Sequence, residues 1–265
     1  MLYFVATPIG NLKDISYRAI EVLNSVDEIG CEDTRHSLTL LNHYSVKKPL
    51  FSYHKFNEKQ ALSEIIDKLK QGKNIAIISD AGMPVISDPG NLLTKALKEE
   101  GLEFTVVPGA NAALSALILS GLDVSRFCFI GFLPQKKSER VELLEKFKKV
   151  SATLIFYSAP HDIKKDVESI YEVLGSRKAV AVKEITKIHE KAVEFNLQDG
   201  VEFEPKGEYV LVVDGYEEKI DESISLEELI DKYIGEGMDK KSAIKRVAKE
   251  RNIPKSELYK FTIGK

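Results

Sequence analysis

The chain has 265 residues, 43% hydrophobic and 30% charged, with a formal net charge of −3. That is enough chain for one large or two medium cores, and the composition excludes a disordered, collagenous or strongly basic protein. The apolar runs fall short of a bilayer span, MLYFVATPIG lacks the basic start of a secretory signal, and Cys31 and Cys128 stand apart without C-x-x-C spacing, so we expect free thiols in a cytoplasmic protein without membrane spans or a metal site.

Strand and helix patterns alternate through the first half. LYFVA (2–6) reads as a strand, 16–24 as a helix with Ser16 as its N-cap, VDEIGC (26–31) as a strand and 34–44 as a helix. A short strand at 50–53 precedes a helix over 58–70, whose apolar residues at 61, 62, 65, 66 and 69 repeat with the helical period. NIAII (74–78) reads as a buried strand, followed by helix 91–100, strand 103–107 and helix 110–120. Such βαβα punctuation predicts a mostly parallel sheet.

The second half is less regular. Strand 126–132 leads to a basic helix over 137–150, and strand 153–157 to a helix opened by Pro160 and running to Leu174. The runs 178–185 and 188–197 alternate like antiparallel partners, and GEYVLVVDG (207–215) reads as a last strand. We expect an α/β fold with an N-terminal domain at 1–120 and a second, mixed-sheet α/β domain at 121–220. A charged connector leads to a helical tail at 221–265, with pieces at 225–234, 239–251 and 254–261. Lys240, Lys241, Lys245, Arg246, Lys249 and Arg251 share one tail helix, which reads either as a solvated face or as a nucleic-acid contact.

The chemistry concentrates in loops that follow strands: TPIGNLKD (7–14), EDTR (32–35), SYHKFNE (52–58), SDAGMPVISDPG (79–90) and PGANAA (108–113). In an open α/β sheet ligands bind beyond the carboxyl ends of the strands, so five such loops on one edge would enclose a cleft. G-x-G-x-x-G, Walker A, H-E-x-x-H and G-x-S-x-G are absent, which removes the common dinucleotide, NTP, zincin and hydrolase readings. Asp88, beside Pro89 and Gly90, reads as a helix-opening residue rather than a ligand. Titratable candidates on the edge are Glu32, Asp33, Arg35, His54, Glu58, Asp80, Lys183 and Glu184. Adjacent side chains diverge, so only one of Glu32 and Asp33 should face the cleft. The basic cluster Lys136, Lys137, Arg140, Lys146, Lys148 and Lys149 suits phosphate contacts.

Taken with FCFIGFLPQKK (127–137), KEITKIHE (183–190) and GEYVLVV (207–213), these loops resemble the ribosomal RNA small subunit methyltransferase I family, of the tetrapyrrole-methylase-like superfamily. The resemblance covers residues 1–215, and less specifically the tail. It implies two α/β domains with a cofactor cleft between them. It also implies an S-adenosylmethionine-dependent 2′-O-methyltransferase acting on a cytidine in the decoding region of 16S rRNA, on the small ribosomal subunit, and a homodimer.

Carried over by position, the resemblance puts Pro8 and Gly10 on the cleft, Asp80, Ala81 and Met83 against the methionine part of the cofactor, and Ala112 and Ala113 behind it. Ser158, Ala159, Pro160 and Lys183 would close it from the second domain. For catalysis the candidates carried forward are Glu32, Arg35 and Asp80, with the base left open. For RNA they are Arg35, His54, Lys136, Lys137 and Arg140. Two positions depart from the family: Asn111 stands where a smaller Ser or Cys is common, and Phe56 where a second histidine is frequent. Two other readings remain, a tetrapyrrole methylase of the same superfamily and a non-catalytic RNA-binding assembly factor. EDTR, SYHKFNE and the basic tail oppose the first, and the intact loop set opposes the second.

Overall fold

Five short strands rich in β-branched residues form a parallel sheet: β1 Leu2–Val5, β2 Glu28–Cys31, β3 Leu50–Ser52, β4 Ile75–Ile78 and β5 Phe104–Val107, in the order β3-β2-β4-β1-β5. The computed structural model describes residues 1–217, 224–251, 253, 254 and 258. β4 is buried on both faces, as a central parallel strand must be. Its even and odd residues feed separate cores. Ile75 and Ile77 join Leu2 and Phe4 beneath α3 (Glu58–Lys70) and α4 (Asn91–Glu99); Ala76 and Ile78 join Val5 and Ile29 beneath α1 (Tyr17–Ser25) and α2 (Thr34–His43). Each fully buried Ile or Leu side chain contributes about 1.5–3 kcal/mol relative to leaving it in water. Ser16 caps α1 by accepting the Ala19 N–H at 3.1 Å.

The second sheet is mixed, in the order β6-β7-β10-β8-β9. β6 (Phe127–Phe132) runs parallel to β7 (Thr153–Ser158), while β10 (Tyr209–Val213) pairs antiparallel with β7 and with β8 (Lys178–Lys183), which pairs antiparallel with β9 (Lys191–Asn196). α5 (Ala112–Ser120) covers one face, against Ile155, Val180, Val182, Val210 and Val212. The intervening residues Leu154, Phe156, Ala181 and Leu211 point to the other face, under α6 (Lys137–Glu145) and α7 (Ile163–Leu174).

Residues 1–216 form one compact unit and 217–265 a second, so the two halves expected on either side of Gly121 share a unit. α5, expected with the first half, packs on the second sheet. Several expected elements are shorter, α6 and α7 among them. α6 stops at Glu145 because the chain tightens into i→i−3 turns, and the carbonyls of Lys148 and Val150 are taken by the Arg177 guanidinium and the Tyr216 N–H. α7 starts at Ile163, so Pro160 lies before the helix rather than in its first position.

In the second unit, α8 (Leu226–Gly235) opens with a Ser225/Glu228 capping box and α9 (Lys240–Glu250) with an Asp239 cap. Leu229, Ile230, Tyr233, Ile244 and Val247 form their shared core. Arg246 lies over the Tyr233 ring at 4.3 Å and bonds Glu250 at 2.9 Å, and Arg251 donates to the Ile224 carbonyl. These two arginines are therefore packing elements, leaving Lys240, Lys241, Lys245 and Lys249 as the exposed cations of that helix. The third tail helix expected at 254–261 lies mostly outside the described residues. Among the described residues no helix is long and apolar enough to cross a membrane.

Candidate active site

Because the first sheet is wholly parallel, the loops after β1 to β5 all emerge on one edge. The loop 79–90 after β4 is pinned there. Thr7 and Gly82 exchange backbone hydrogen bonds of 2.9 and 3.1 Å, and the Ser79 hydroxyl donates to the Gly82 carbonyl at 3.1 Å. At the far end, Glu58 Oε1 accepts the Gly90 N–H at 2.8 Å and the Tyr53 hydroxyl at 3.0 Å. Within the loop Val85 and Ser87 take left-handed φ values of 75° and 69°. For a β-branched residue this is a strained state, of order 1–3 kcal/mol, that persists only where the surroundings over-determine it. Gly90 (φ 139°) is part of that surrounding, since a Cβ there would come within 2.6 Å of the Val85 side chain.

A second loop of the same kind follows β8. Glu184 and Thr186 have φ values of 52° and 67°, which turns Ile185 and Lys187 toward the edge of the first sheet. Lys187 Nζ binds Glu184 at 2.9 Å and Glu208 at 3.2 Å. Its aliphatic stem occupies the space a side chain at Gly10 would need, 2.5 Å from the position of a Cβ. So four of the five non-glycine left-handed residues of the described chain lie in these two loops.

Between the loops is a cavity of about 410 Å³, within the roughly 300–1,000 Å³ of small-molecule sites. From the first sheet's edge it is lined by Ile9, the 80–83 and 86–88 segments, Asn111 and Ala112. From the second sheet it is lined by Phe132, Tyr157 to Pro160, Ile185, Lys187 and Glu208 to Val210. Asn111 is also the N-cap of α5, its Oδ1 accepting the Leu114 N–H at 2.9 Å, and only its amide NH₂ is left to donate. Ser158 is held from behind by its 2.6 Å bond to buried Asp166.

The electrostatics single out one carboxylate. Asp88 is pushed up to about 6 by burial, with the negative charges of Glu32 and Asp80 adding to the effect. It has no hydrogen-bond or ion-pair partner among the described residues, and it lines the cavity. The helix-opening role expected for it is thus corrected: the residue at the α4 cap is Gly90, and no side chain caps that helix. Burial and Asp80 also raise Glu32, which His54 partly offsets. Burial raises the Tyr157 phenol, with Asp88 contributing. Among the described residues no group of three or more His, Cys, Asp and Glu is placed to hold a metal ion.

Of the residues expected at the cofactor, Asp80, Ala81, Met83, Ala112, Ser158, Ala159 and Pro160 line the cavity; Pro8, Gly10 and Ala113 do not, although Gly10 seats Lys187. Lys183 is a correction. Strand alternation turns it to the opposite face of the second sheet, where it pairs with Glu204. Arg140 is a second correction. It is 3% exposed, and its guanidinium donates to the Ser169 hydroxyl at 3.0 Å and the Pro134 carbonyl at 3.1 Å, so it braces α6 on α7 and faces no phosphate. Lys136 and Lys137 are exposed, but each pairs with a glutamate, Glu139 and Glu172.

Several edge candidates are structurally engaged. Asp33 caps α2 by accepting the Arg35 and His36 N–H groups, which hold its carboxyl below the usual range. Glu58 is the staple already described, and Glu184 is pinned by Lys187 and the Glu208 N–H. Glu32 acts on Asp88 through its charge, and Arg35 projects into solvent. The reading missed Asp88, Tyr157, Ile185, Lys187 and Glu208. The PVISDPG run carried the signal for Asp88; the rest required knowing which strands are neighbours.

A model of the tetrapyrrole (corrin/porphyrin) methylase family matches residues 1–199. A protein of Halalkalibacterium halodurans named ribosomal RNA small subunit methyltransferase I is 44% identical, with 97% of this chain and 93% of that protein covered. A protein of the same name from Bacillus subtilis is 43% identical, covering 98% and 92%. Another, from Thermotoga maritima, is 43% identical over 82% of this chain and 99% of its own length. Among solved structures, a diphthine synthase superposes with a TM-score of 0.65 at 16% identity, covering 81% of this chain and 89% of that one. A uroporphyrin-III-C-methyltransferase from Thermus thermophilus gives 0.56 at 19% identity, covering 80% and 93%. These structural likenesses speak to the fold alone.

Proposed function

The chain belongs to the ribosomal RNA small subunit methyltransferase I family, and we propose that it moves a methyl group from S-adenosylmethionine to the ribose 2′-hydroxyl of a cytidine in the decoding region of 16S rRNA. The observation that carries this reading is the cavity between the two sheets, with Asp88 lining it and free of any partner among the described residues. The lining fits the cofactor. Ala81, Gly82, Ala112 and Ala159 allow close approach of a ring, Met83, Ile86, Ile185 and Val210 give apolar walls, and Asp80 and Asp88 supply negative charge for a cationic ligand. When bound, S-adenosylmethionine supplies a methyl group carried on a sulfonium sulfur.

A 2′-hydroxyl is a weak nucleophile, so a base that accepts its proton as the oxygen–carbon bond forms accelerates transfer by about 10²–10⁴-fold. A carboxylate raised to about 6 is both ionised at neutral pH and more basic than an ordinary aspartate. Asp88 takes that role; Glu32 and Asp80 sustain its basicity. Lys187, held between Glu184 and Glu208, keeps the opposite wall in place. On the open side, Arg35, His54, Lys136 and Lys137 meet RNA phosphates. The protein works in the cytoplasm as a homodimer, for which the exposed Leu114 and Ile118, one turn apart on α5, offer an apolar face.

Labelled S-adenosylmethionine incubated with unmodified small ribosomal subunits tests this. Label on a 2′-oxygen of a decoding-region cytidine is the expected result. Label on a base overturns the ribose assignment. Cofactor binding without transfer favours an assembly factor, and transfer to a tetrapyrrole in place of rRNA favours a small-molecule methylase.

A further inference from the structure

Phe56 is 95% exposed, close to the most that a side chain in a folded chain presents. Isolated exposed hydrophobics are ordinary; the loop that carries this one is not loose. The His54 N–H donates to Asn57 Oδ1 at 2.8 Å, Asn57 Nδ2 donates to the Ser52 carbonyl at 2.9 Å, and the Asn57 N–H closes on the His54 carbonyl at 3.0 Å. The Phe56 N–H donates to His54 Nδ1 at 3.2 Å, and the two rings meet edge to face at 6.1 Å. The segment 52–57 is thus ordered by its own hydrogen bonds, with a bare aromatic ring as the outcome.

The ring's position is tied to the cavity. Its loop follows β3, on the same sheet edge as the loop after β4, and Glu58 Oε1 holds both loops through the Tyr53 hydroxyl and the Gly90 N–H. His54 bears electrostatically on Glu32, which bears on Asp88 inside the cavity. Cations flank the ring in sequence and across the edge: Lys55, Lys59 and Arg35 are exposed, the Arg35 side chain at 95% with a 3.9 Å approach to Asp33 as its ion pair.

An exposed π-face among exposed cations is the chemistry that receives unpaired nucleotides: bases stack on the ring while the cations meet the phosphates. We infer that Phe56 is a stacking platform for an unpaired base next to the nucleotide whose ribose enters the cavity. The inference rests on the RNA reading above and extends it. A nucleotide turned toward the cavity leaves its neighbour without a stacking partner, and the ring of Phe56 replaces that partner.

The chain contains no tryptophan, so Phe56→Trp introduces a single indole whose emission reports on this position alone. Quenching on titration with deproteinised 16S rRNA is expected, and unchanged emission at saturation overturns the platform. Against small subunits, Phe56→Ala and Phe56→Leu should lose about 5- to 100-fold in affinity, while Phe56→Tyr stays near wild type. Leu retaining full affinity would show that apolarity, not a π-face, is used. Affinity for S-adenosylhomocysteine and Tm should not move, because the side chain is outside the core. A loss on subunits with none on deproteinised rRNA would mean a protein contact and overturn the base assignment. If wild type itself binds no RNA, the functional reading fails and the platform with it; wild-type binding with silent Phe56 variants removes the platform alone.

Discussion

The two walls of the cavity use one device to opposite ends. Each is a loop forced through two left-handed residues, Val85 and Ser87 on one side, Glu184 and Thr186 on the other. Behind the first the charge is left unpaired: Asp80, Glu32 and Asp88 are acidic neighbours, and among the described residues no cation pairs with Asp88. Behind the second both carboxylates are paired, Glu184 and Glu208 sharing Lys187. The shared strain fixes shape in both, while unpaired charge is what gives the first wall its chemistry, because burial and the neighbouring carboxylates move Asp88 toward neutrality. The first wall should therefore govern the methyl-transfer step and its pH dependence; the second should govern cavity shape.

The sharpest way to break this contrast is Asp88→Asn. Turnover should fall about 10²- to 10⁴-fold, and the acid limb of the wild-type rate profile, centred near 6, should vanish. A second effect has the opposite sign. Because folding raises this carboxyl from its usual 3.8 to about 6, the folded state holds more protons between those values, and stability falls as pH rises across that window. Removing the charge should thus stabilise the protein at pH 7 by about 1–2 kcal/mol once solvent screening of this half-buried group is allowed for, read by urea unfolding at pH 4 and 7. Loss of activity with unchanged stability would mean that Asp88 is not buried as a charge.

Asp80→Ala comes next, with cofactor affinity reduced by about 100-fold and the fold intact, by calorimetry and Tm. On the second wall, Lys187→Met keeps the stem above Gly10 while removing the pairs with Glu184 and Glu208. KM for the cofactor should rise by about three- to tenfold, since partly exposed ion pairs are worth about 1 kcal/mol or less each, with the shape of the pH profile retained. A changed profile would put the second wall into the chemistry and end the contrast.

How much of this was legible beforehand follows from the range of the interactions. β4, α3 and the Ser16 cap are local patterns, and the parallel edge with its loops followed from their alternation. Asp88 was misread because the local pattern of Asp-Pro-Gly before a helix is that of a cap, while the charges acting on it come from Glu32, 56 positions away, and from Asp80. Lys183 was misplaced by its neighbourhood: it sits in the KEITKIHE run, yet strand alternation turns it to the other face, and the left-handed Glu184 and Thr186 beyond the strand bring Ile185 and Lys187 to the cavity instead. The basic cluster was read by counting charges, and a count does not see partners.

That cluster supplies the smallest and most discriminating effect. Lys136→Glu with Lys137→Glu alters two exposed side chains whose pairs with Glu139 and Glu172 are solvent-screened. Stability should move by less than about 0.5 kcal/mol, cofactor affinity should not change, and small-subunit affinity should fall with a shallower salt dependence, as lost phosphate contacts require. Arg140→Met provides the contrast within the same stretch. It should lower Tm by removing three hydrogen bonds behind α6, while the salt dependence of RNA binding stays that of wild type. If the salt slope instead changes with Arg140 and not with the two lysines, the RNA does not cross this face and its path must lie along Arg35 and His54.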